Sequence, residues 1–290
     1  MEFNRYGLWL GQTWNHHLFK RHHTELNNIY WAYASSASFS KRQIAISPPD
    51  DSPANVFHYP DQSKQVLRDA IEWRTAFNSF ENWTRLSSLM ALSSYFEIYL
   101  RKSVTLALES DPGLQYGRSK SIDGFMYKKH SKTYSFLNMS EDCVKGEWSK
   151  RLSSYKSLFG TVPQSLIDNQ GELEQMRNIR NGVGHAFGRT TTEYNTHIHI
   201  KPKDMARLTE ERFIKWLGLI DKIAKDIDDQ LGKAHVGEYE SLCFLHSWLN
   251  ETPRPQHTRR REFMKSLHRW TGVGPGKNFS TQIMDYYDRI

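Results

Sequence analysis

The sequence predicts a mainly α-helical protein, an antiparallel bundle with N- and C-terminal additions and at most a short β segment. Three observations predict it. Apolar residues recur at three- and four-residue steps from Val66 to Leu108. A second stripe of the same period runs through Phe213, Trp216, Leu217, Ile220, Ile223, Ala224, Ile227 and Leu231. The alternation expected of a strand is found in Glu193–Ile200, a short strand or extended connector.

Residues 1–60 read as an N-terminal addition carrying Trp9, Trp14 and Trp31. Its paired histidines, His16-His17 and His22-His23, read as solvated, because adjacent residues on a helix do not share a face. Ser47–Pro53 reads as a linker, since proline removes a donor and bars helix. The bundle is expected over 64–235. Its long helix starts near Lys64, passes Trp73, Phe77, Phe80, Trp83, Leu86, Leu89 and Phe96, and ends at Ser110-Asp111-Pro112-Gly113, with a kink site at Asn78–Asn82. Ser140-Glu141-Asp142 predicts a helix start, and Gly160 predicts the end of that helix, with Val144, Trp148, Leu152, Tyr155 and Phe159 on its apolar face. One more turn fits within Pro163–Gln170, and a short helix is expected over Gly171–Asn181. Thr209-Glu210-Glu211 caps the last bundle helix. A C-terminal addition, 237–290, contains a basic run with Arg254, Arg259, Arg260, Arg261, Lys265 and Arg269 against one acid, Glu262.

Composition narrows the function classes. With 38% hydrophobic and 24% charged residues, the chain suits a globular protein rather than a disordered one. No apolar run approaches the length of a membrane span, and Met1–Arg5 lacks the pattern of a signal peptide, so no membrane partner is expected. Cys143 and Cys243 are far apart and suggest neither a disulfide framework nor a zinc site, which makes a reducing cytoplasm the expected location. His197 and His199 share one face of the alternating stretch, yet no third ligand stands at convincing spacing, so no metal and no cofactor are expected. The net charge of +7 favours a polyanionic partner.

The densest chemistry lies in Arg177-Asn178-Ile179-Arg180-Asn181-Gly182-Val183-Gly184-His185. An imidazole moves protons near neutral pH. A guanidinium holds a phosphate through two parallel hydrogen bonds and stabilises charge developing on its oxygens. Arg177 is a second phosphate contact or a solvated surface charge. Five residues along an ideal helix correspond to about 140° of rotation, so Arg180 and His185 cannot share one face of a straight helix. Either the glycines turn the chain before His185, or a symmetric dimer completes the site.

This spacing resembles the Arg-x(4 to 6)-His signature of the HEPN superfamily, many of whose members are endoribonucleases of toxin–antitoxin and antiphage systems. Ser94–Arg101 adds to the likeness, since it resembles the family's early helix, with Glu97 in an apolar frame. A buried carboxylate needs a partner, and the resemblance implies the motif Arg or His for that role. It further implies a metal-independent endoribonuclease with Arg180, Asn181, His185 and Glu97 as catalytic residues, RNA as substrate, a homodimer, and control by an antitoxin or trigger protein. The basic run, with Phe263, His268 and Trp270 available to stack on bases, is the expected RNA-binding segment. Two other classes remain open: a non-catalytic nucleic-acid-binding or regulatory module, and a protein-interaction, phage-sensing subunit.

Overall fold

The computed structural model describes residues 3–58, 67–130, 136–186, 205–251 and 255–290. Twelve α-helices and no strand lie among them, so the protein is mainly α as predicted. Glu193–Ile200, the expected extended stretch, falls outside the described residues. The chain forms two compact units. The first comprises Met1–Arg21, Tyr95–Glu174 and Ile220–Ile290, and the second comprises His22–Ser94 and Gln175–Leu219.

The N-terminal region contains a helix of 33 residues, α1 (Trp14–Ile46). Its buried positions, His16, Phe19, His23, Leu26, Tyr30, Ala37 and Ile44, step by three, four or seven, the spacing of a heptad seam. The expectation that the paired histidines are solvated is therefore corrected. His16 and His23 are seven apart, share the seam, and are only 6% and 8% exposed, while His17 and His22 are half-buried. His23 meets its burial by bonding through Nε2 to the Leu217 carbonyl at 3.0 Å. At the end of the expected linker begins one helical turn, α2 (Pro53–Phe57), capped by Ser52, whose Oγ accepts from Ala54 N at 3.2 Å.

The predicted long helix is α3 (Ala70–Ser110), 41 residues without a break. Asp69 caps it by accepting from Ile71 N and Glu72 N at 3.0 and 2.8 Å. The helix continues through Asn78–Asn82. The Asn82 amide turns away from its own backbone, donating to the Ala206 carbonyl at 2.8 Å and accepting from Leu208 N at 3.0 Å. The helix stops at the predicted breaker, where a 3₁₀ turn (Pro112–Tyr116) leads to α4 (Gly124–Lys129). Gly124 is there because a Cβ would sit 1.6 Å from the Glu109 carbonyl oxygen.

The helix expected from Ser140 to Gly160 is two helices, α5 (Leu137–Asp142) and α6 (Trp148–Phe159). Gly146, at φ 81°, turns the chain between them in a conformation that a side chain would disfavour. Then follow α7 (Gln164–Asp168), α8 (Gln170–Ala186) and α9 (Glu210–Leu231), the last capped by Thr209, whose Oγ1 accepts from Arg212 N at 3.3 Å. A π turn (Gly232–Val236) leads into α10 (Tyr239–Glu251), α11 (Gln256–Thr271) and α12 (Lys277–Arg289).

The first unit packs the start of α1, the second half of α3 and the second half of α9 around Tyr99, whose hydroxyl donates to the Ala224 carbonyl at 2.8 Å. Its N-terminal segment is fastened by buried carboxylates. Glu238 accepts from Trp9 N at 2.5 Å, Glu240 from Trp14 N at 2.8 Å, and Asp228 from Thr13 Oγ1 at 2.5 Å. The second unit centres on Tyr30 against Phe213, ring centroids 4.6 Å apart. None of the described helices is long and apolar enough to cross a membrane.

Candidate functional site

Helix α8 carries the whole motif and runs unbroken through Gly182 and Gly184 to Ala186. The turn that these glycines would permit before His185 is not made. Each glycine weakens a helix by about 1 kcal/mol relative to alanine, and here burial of Leu173, Met176 and Val183 along one face opposes that loss. At about 100° per residue, Arg180 falls between Leu173 and Met176, within the buried face. Its side chain is half-buried, and Nη1 donates to Asn181 Oδ1 at 3.1 Å. Arg177, Asn181 and the position of His185 step by four and form one stripe, about 80° wide. The His185 side chain lies outside the described residues. Gly184 is exposed, and a Cβ there would meet nothing closer than Met90 Cε at 3.9 Å, so packing does not require a glycine.

Glu97 is on α3 in the first unit, whereas Gln175–Ala186 of α8 belongs to the second. The Glu97 Oε1 accepts from both Nη atoms of Arg151 at 3.3 Å. Arg151, with a side chain 4% exposed, also donates from Nε to the Gly146 carbonyl at 3.0 Å and lies 4.7 Å from the Trp148 ring centroid. Sequence reasoning named no role for Arg151. The signal was available, because Trp148, Arg151 and Tyr155 occupy one buried face of α6, and a cation on such a face needs an anion opposite.

The basic run divides by face. Arg254 lies outside the described residues. Arg259 is half-buried, and Arg260 donates to Thr281 Oγ1 at 3.4 Å. Arg261, Lys265 and Arg269 are exposed and follow at four-residue intervals along α11. Phe263 and Leu267 are fully buried, so Phe263 is not available to stack on a base; Trp270 is 68% exposed. Arg177 is half-buried.

One acid–base pair escaped the sequence reading. His235 Nδ1 lies 3.0 Å from Asp111 Oδ2, which also accepts from Ser119 Oγ at 2.6 Å, while Oδ1 accepts from Lys120 N at 2.7 Å. Burial pushes the Asp111 carboxyl up, but the bonds from His235, Ser119 and Lys120 together hold it below its usual value. The pair fastens the end of α3 to the π turn after α9. In the second unit a groove of about 470 Å³ is lined by Tyr30, Tyr33, Lys41, Glu81, Arg85 and Glu210. Its cations are engaged, Lys41 with Glu81 at 2.6 Å and Arg85 with the Leu208 carbonyl at 2.6 Å. Among the described residues no three His, Cys, Asp or Glu side chains converge, and His197 and His199 lie outside those residues.

No family model, curated protein or solved structure matches this chain. The functional reading therefore rests on residue chemistry and on helix geometry.

Proposed function

We propose that the protein is a HEPN-like, metal-independent endoribonuclease acting in the cytoplasm as a toxin or in antiphage defence, held in check by an antitoxin or trigger protein. The observation that carries this reading is the continuity of α8. One helix holds a half-buried Arg180 joined to Asn181 and places His185 one turn beyond Asn181. Since Arg180 and His185 are about 140° apart on it, a single α8 does not offer both to one phosphate. Two copies related by a two-fold axis do, the arginine from one and the histidine from the other.

In that site the RNA 2′-oxygen attacks the adjacent phosphorus. The P–O2′ bond forms and the P–O5′ bond breaks; His185 of the copy opposite that Arg180 takes the 2′ proton or protonates the departing 5′-oxygen, and water serves the other oxygen. Arg180 holds the charge that builds on the non-bridging oxygens, and Asn181 fixes the guanidinium. The products are a 2′,3′-cyclic phosphate and a 5′-hydroxyl, and DNA, which lacks the 2′-hydroxyl, survives. Glu97, bound to Arg151, serves as scaffold. The deciding experiment incubates the full chain with total RNA in EDTA, beside Arg180→Ala and His185→Ala. Cleavage by the parent alone, leaving cyclic phosphate ends, is the expected result; no cleavage by the parent in the absence of its inhibitor rejects it.

The exposed Arg261, Lys265 and Arg269 favour a second reading, a module that binds RNA without turnover. Salt-sensitive binding with no cleavage selects that one.

A further inference from the structure

A pocket of about 580 Å³ opens between α10 and α11 in the first unit, away from the motif helix in sequence and in unit. Phe244, Trp248 and Trp270 supply its apolar lining, and Glu251, Ser247 and Arg269 supply polar groups. Trp270 meets Phe244 edge-on, centroids 6.2 Å apart at 68°, and its ring is largely open to solvent. Phe244 and Trp248 are held in place by the buried Phe263, at 6.0 and 5.6 Å.

We propose that this pocket takes one unpaired base of a single-stranded RNA whose phosphates run along Arg269, Lys265 and Arg261. The proposal deepens the RNA reading above by assigning a holding subsite distinct from the cleaving one. Three features fit that ligand together. An open indole face stacks on any planar base. The exposed cations of α11 stand about 6 Å apart along the helix axis, at 1.5 Å per residue, and leave from the pocket's own Arg269, so charge complementarity continues from the pocket into a track for phosphates. Glu251 accepts hydrogen bonds and donates none. It repels a phosphate and attracts base N–H groups, which sets the base inward and the backbone outward. An amino group such as the cytosine N4 suits a carboxylate. Uracil offers an N3–H flanked by two carbonyl oxygens, which the carboxylate repels.

Cys243 lines the same pocket and is half-buried, whereas the other cysteine, Cys143, is buried; burial pushes the Cys243 thiol up to about 11, so its alkylation reports occupancy when read at alkaline pH. The test measures binding of 2′-O-methyl oligocytidine and oligouridine to the full chain by fluorescence anisotropy, and the alkylation rate of Cys243 by peptide mass analysis. A 2′-O-methyl strand has no attacking hydroxyl, so binding is read without cleavage. Oligocytidine is expected to bind more tightly than oligouridine and to slow alkylation of Cys243, and both are expected to bind more tightly than a blunt RNA duplex. Trp270→Ala, a change at an exposed position, is expected to weaken binding about tenfold, with an unchanged melting curve. Glu251→Gln is expected to narrow the difference between cytosine and uracil. Parental affinity in Trp270→Ala, unslowed alkylation at saturating oligocytidine, or equal affinity for the duplex overturns the proposal; equal affinity for the two oligomers overturns the assignment of Glu251. Oligodeoxycytidine shares the base and the phosphates that the pocket reads and is expected to bind comparably, so cleavage of RNA and not of DNA at the motif, rather than affinity here, distinguishes RNA as the source of the strand. A protein that binds through Trp270 and never cleaves RNA refutes the endoribonuclease and leaves this subsite standing.

Discussion

Arg180 donates from Nη1 to Oδ1 of its immediate neighbour Asn181 at 3.1 Å, so the motif arginine is held from within its own helix. Asn181→Ala should release the guanidinium and lower kcat by about 10- to 100-fold through misplacement, with the fold intact. Single-turnover cleavage and circular dichroism check this; a parental rate in the variant would reject the positioning role.

The 140° separation makes a sharper prediction. Arg180→Ala and His185→Ala should each be inactive alone. Mixed and allowed to exchange subunits, half of the dimers are heterodimers, each with one intact site of two. Roughly a quarter of parental activity should return if the site is shared across the two-fold axis. No recovery, with exchange verified by mass spectrometry, rules out the shared site.

Gly184→Ala separates packing from function. The added Cβ meets only Met90 Cε at ordinary contact distance, and alanine favours helix by about 1 kcal/mol. The melting temperature should rise. If a substrate or a second copy approaches this exposed backbone, cleavage should fall at the same time. A stabilised variant with parental activity would mean that nothing approaches Gly184.

Burial pushes the carboxyls of Glu238 and Glu240 up to about 7, against the N–H groups of Trp9, Trp14 and Asn15 and the Ser241 hydroxyl that favour their ionised forms. An acid whose folded pKa is raised takes up protons on folding. Its contribution is full below the unfolded value of 4.5 and is lost as pH rises through about 7. Buried His16, whose pKa burial lowers, works in the opposite direction. The urea midpoint should therefore fall between about pH 5 and pH 7 and level off above that, and Glu238→Gln with Glu240→Gln should flatten that fall. A midpoint rising over this window in the parent, and unchanged by the double variant, contradicts the assignment.

Arg151→Met leaves Glu97 without its guanidinium in a half-buried place and should destabilise the protein by about 3 kcal/mol. Adding Glu97→Gln should recover part of that loss, because the stranded charge is removed. Additive losses in a double-mutant cycle would show that the pair is not coupled.

Much of the helical order was legible because it follows from apolar period and from caps: the α3 terminus at Ser110, the Thr209 cap and the α9 stripe all stand where residue types put them. Helix α1 was not read, because His16, His23, Tyr30 and Ala37 interrupt the apolar residues of its seam, Phe19, Leu26 and Ile44, and a tally of aliphatic residues passes over it. The break at Gly146 was missed because apolar spacing continues across it; a single positive φ ends a helix without altering hydrophobic pattern. The reverse happened in α8, where two glycines suggested a turn and burial of Met176 and Val183 kept the helix going. The motif residues were found by chemistry, and Arg151 was missed although its three- and four-residue spacing from Trp148 and Tyr155 already placed it on the apolar face of α6.

The two units are interleaved along the chain, the first drawing its parts from Met1–Arg21, Tyr95–Glu174 and Ile220–Ile290. A ribosome releases this protein in an order that suits neither unit. The opening segment, with Trp9 and Trp14, must wait for Glu238 and Glu240 to be synthesised, 229 and 226 residues later, about 10–45 s at ordinary elongation rates. During that interval the N-terminal segment lacks its buried acceptors, and a nascent chain stalled or cut before residue 238 leaves the first unit incomplete.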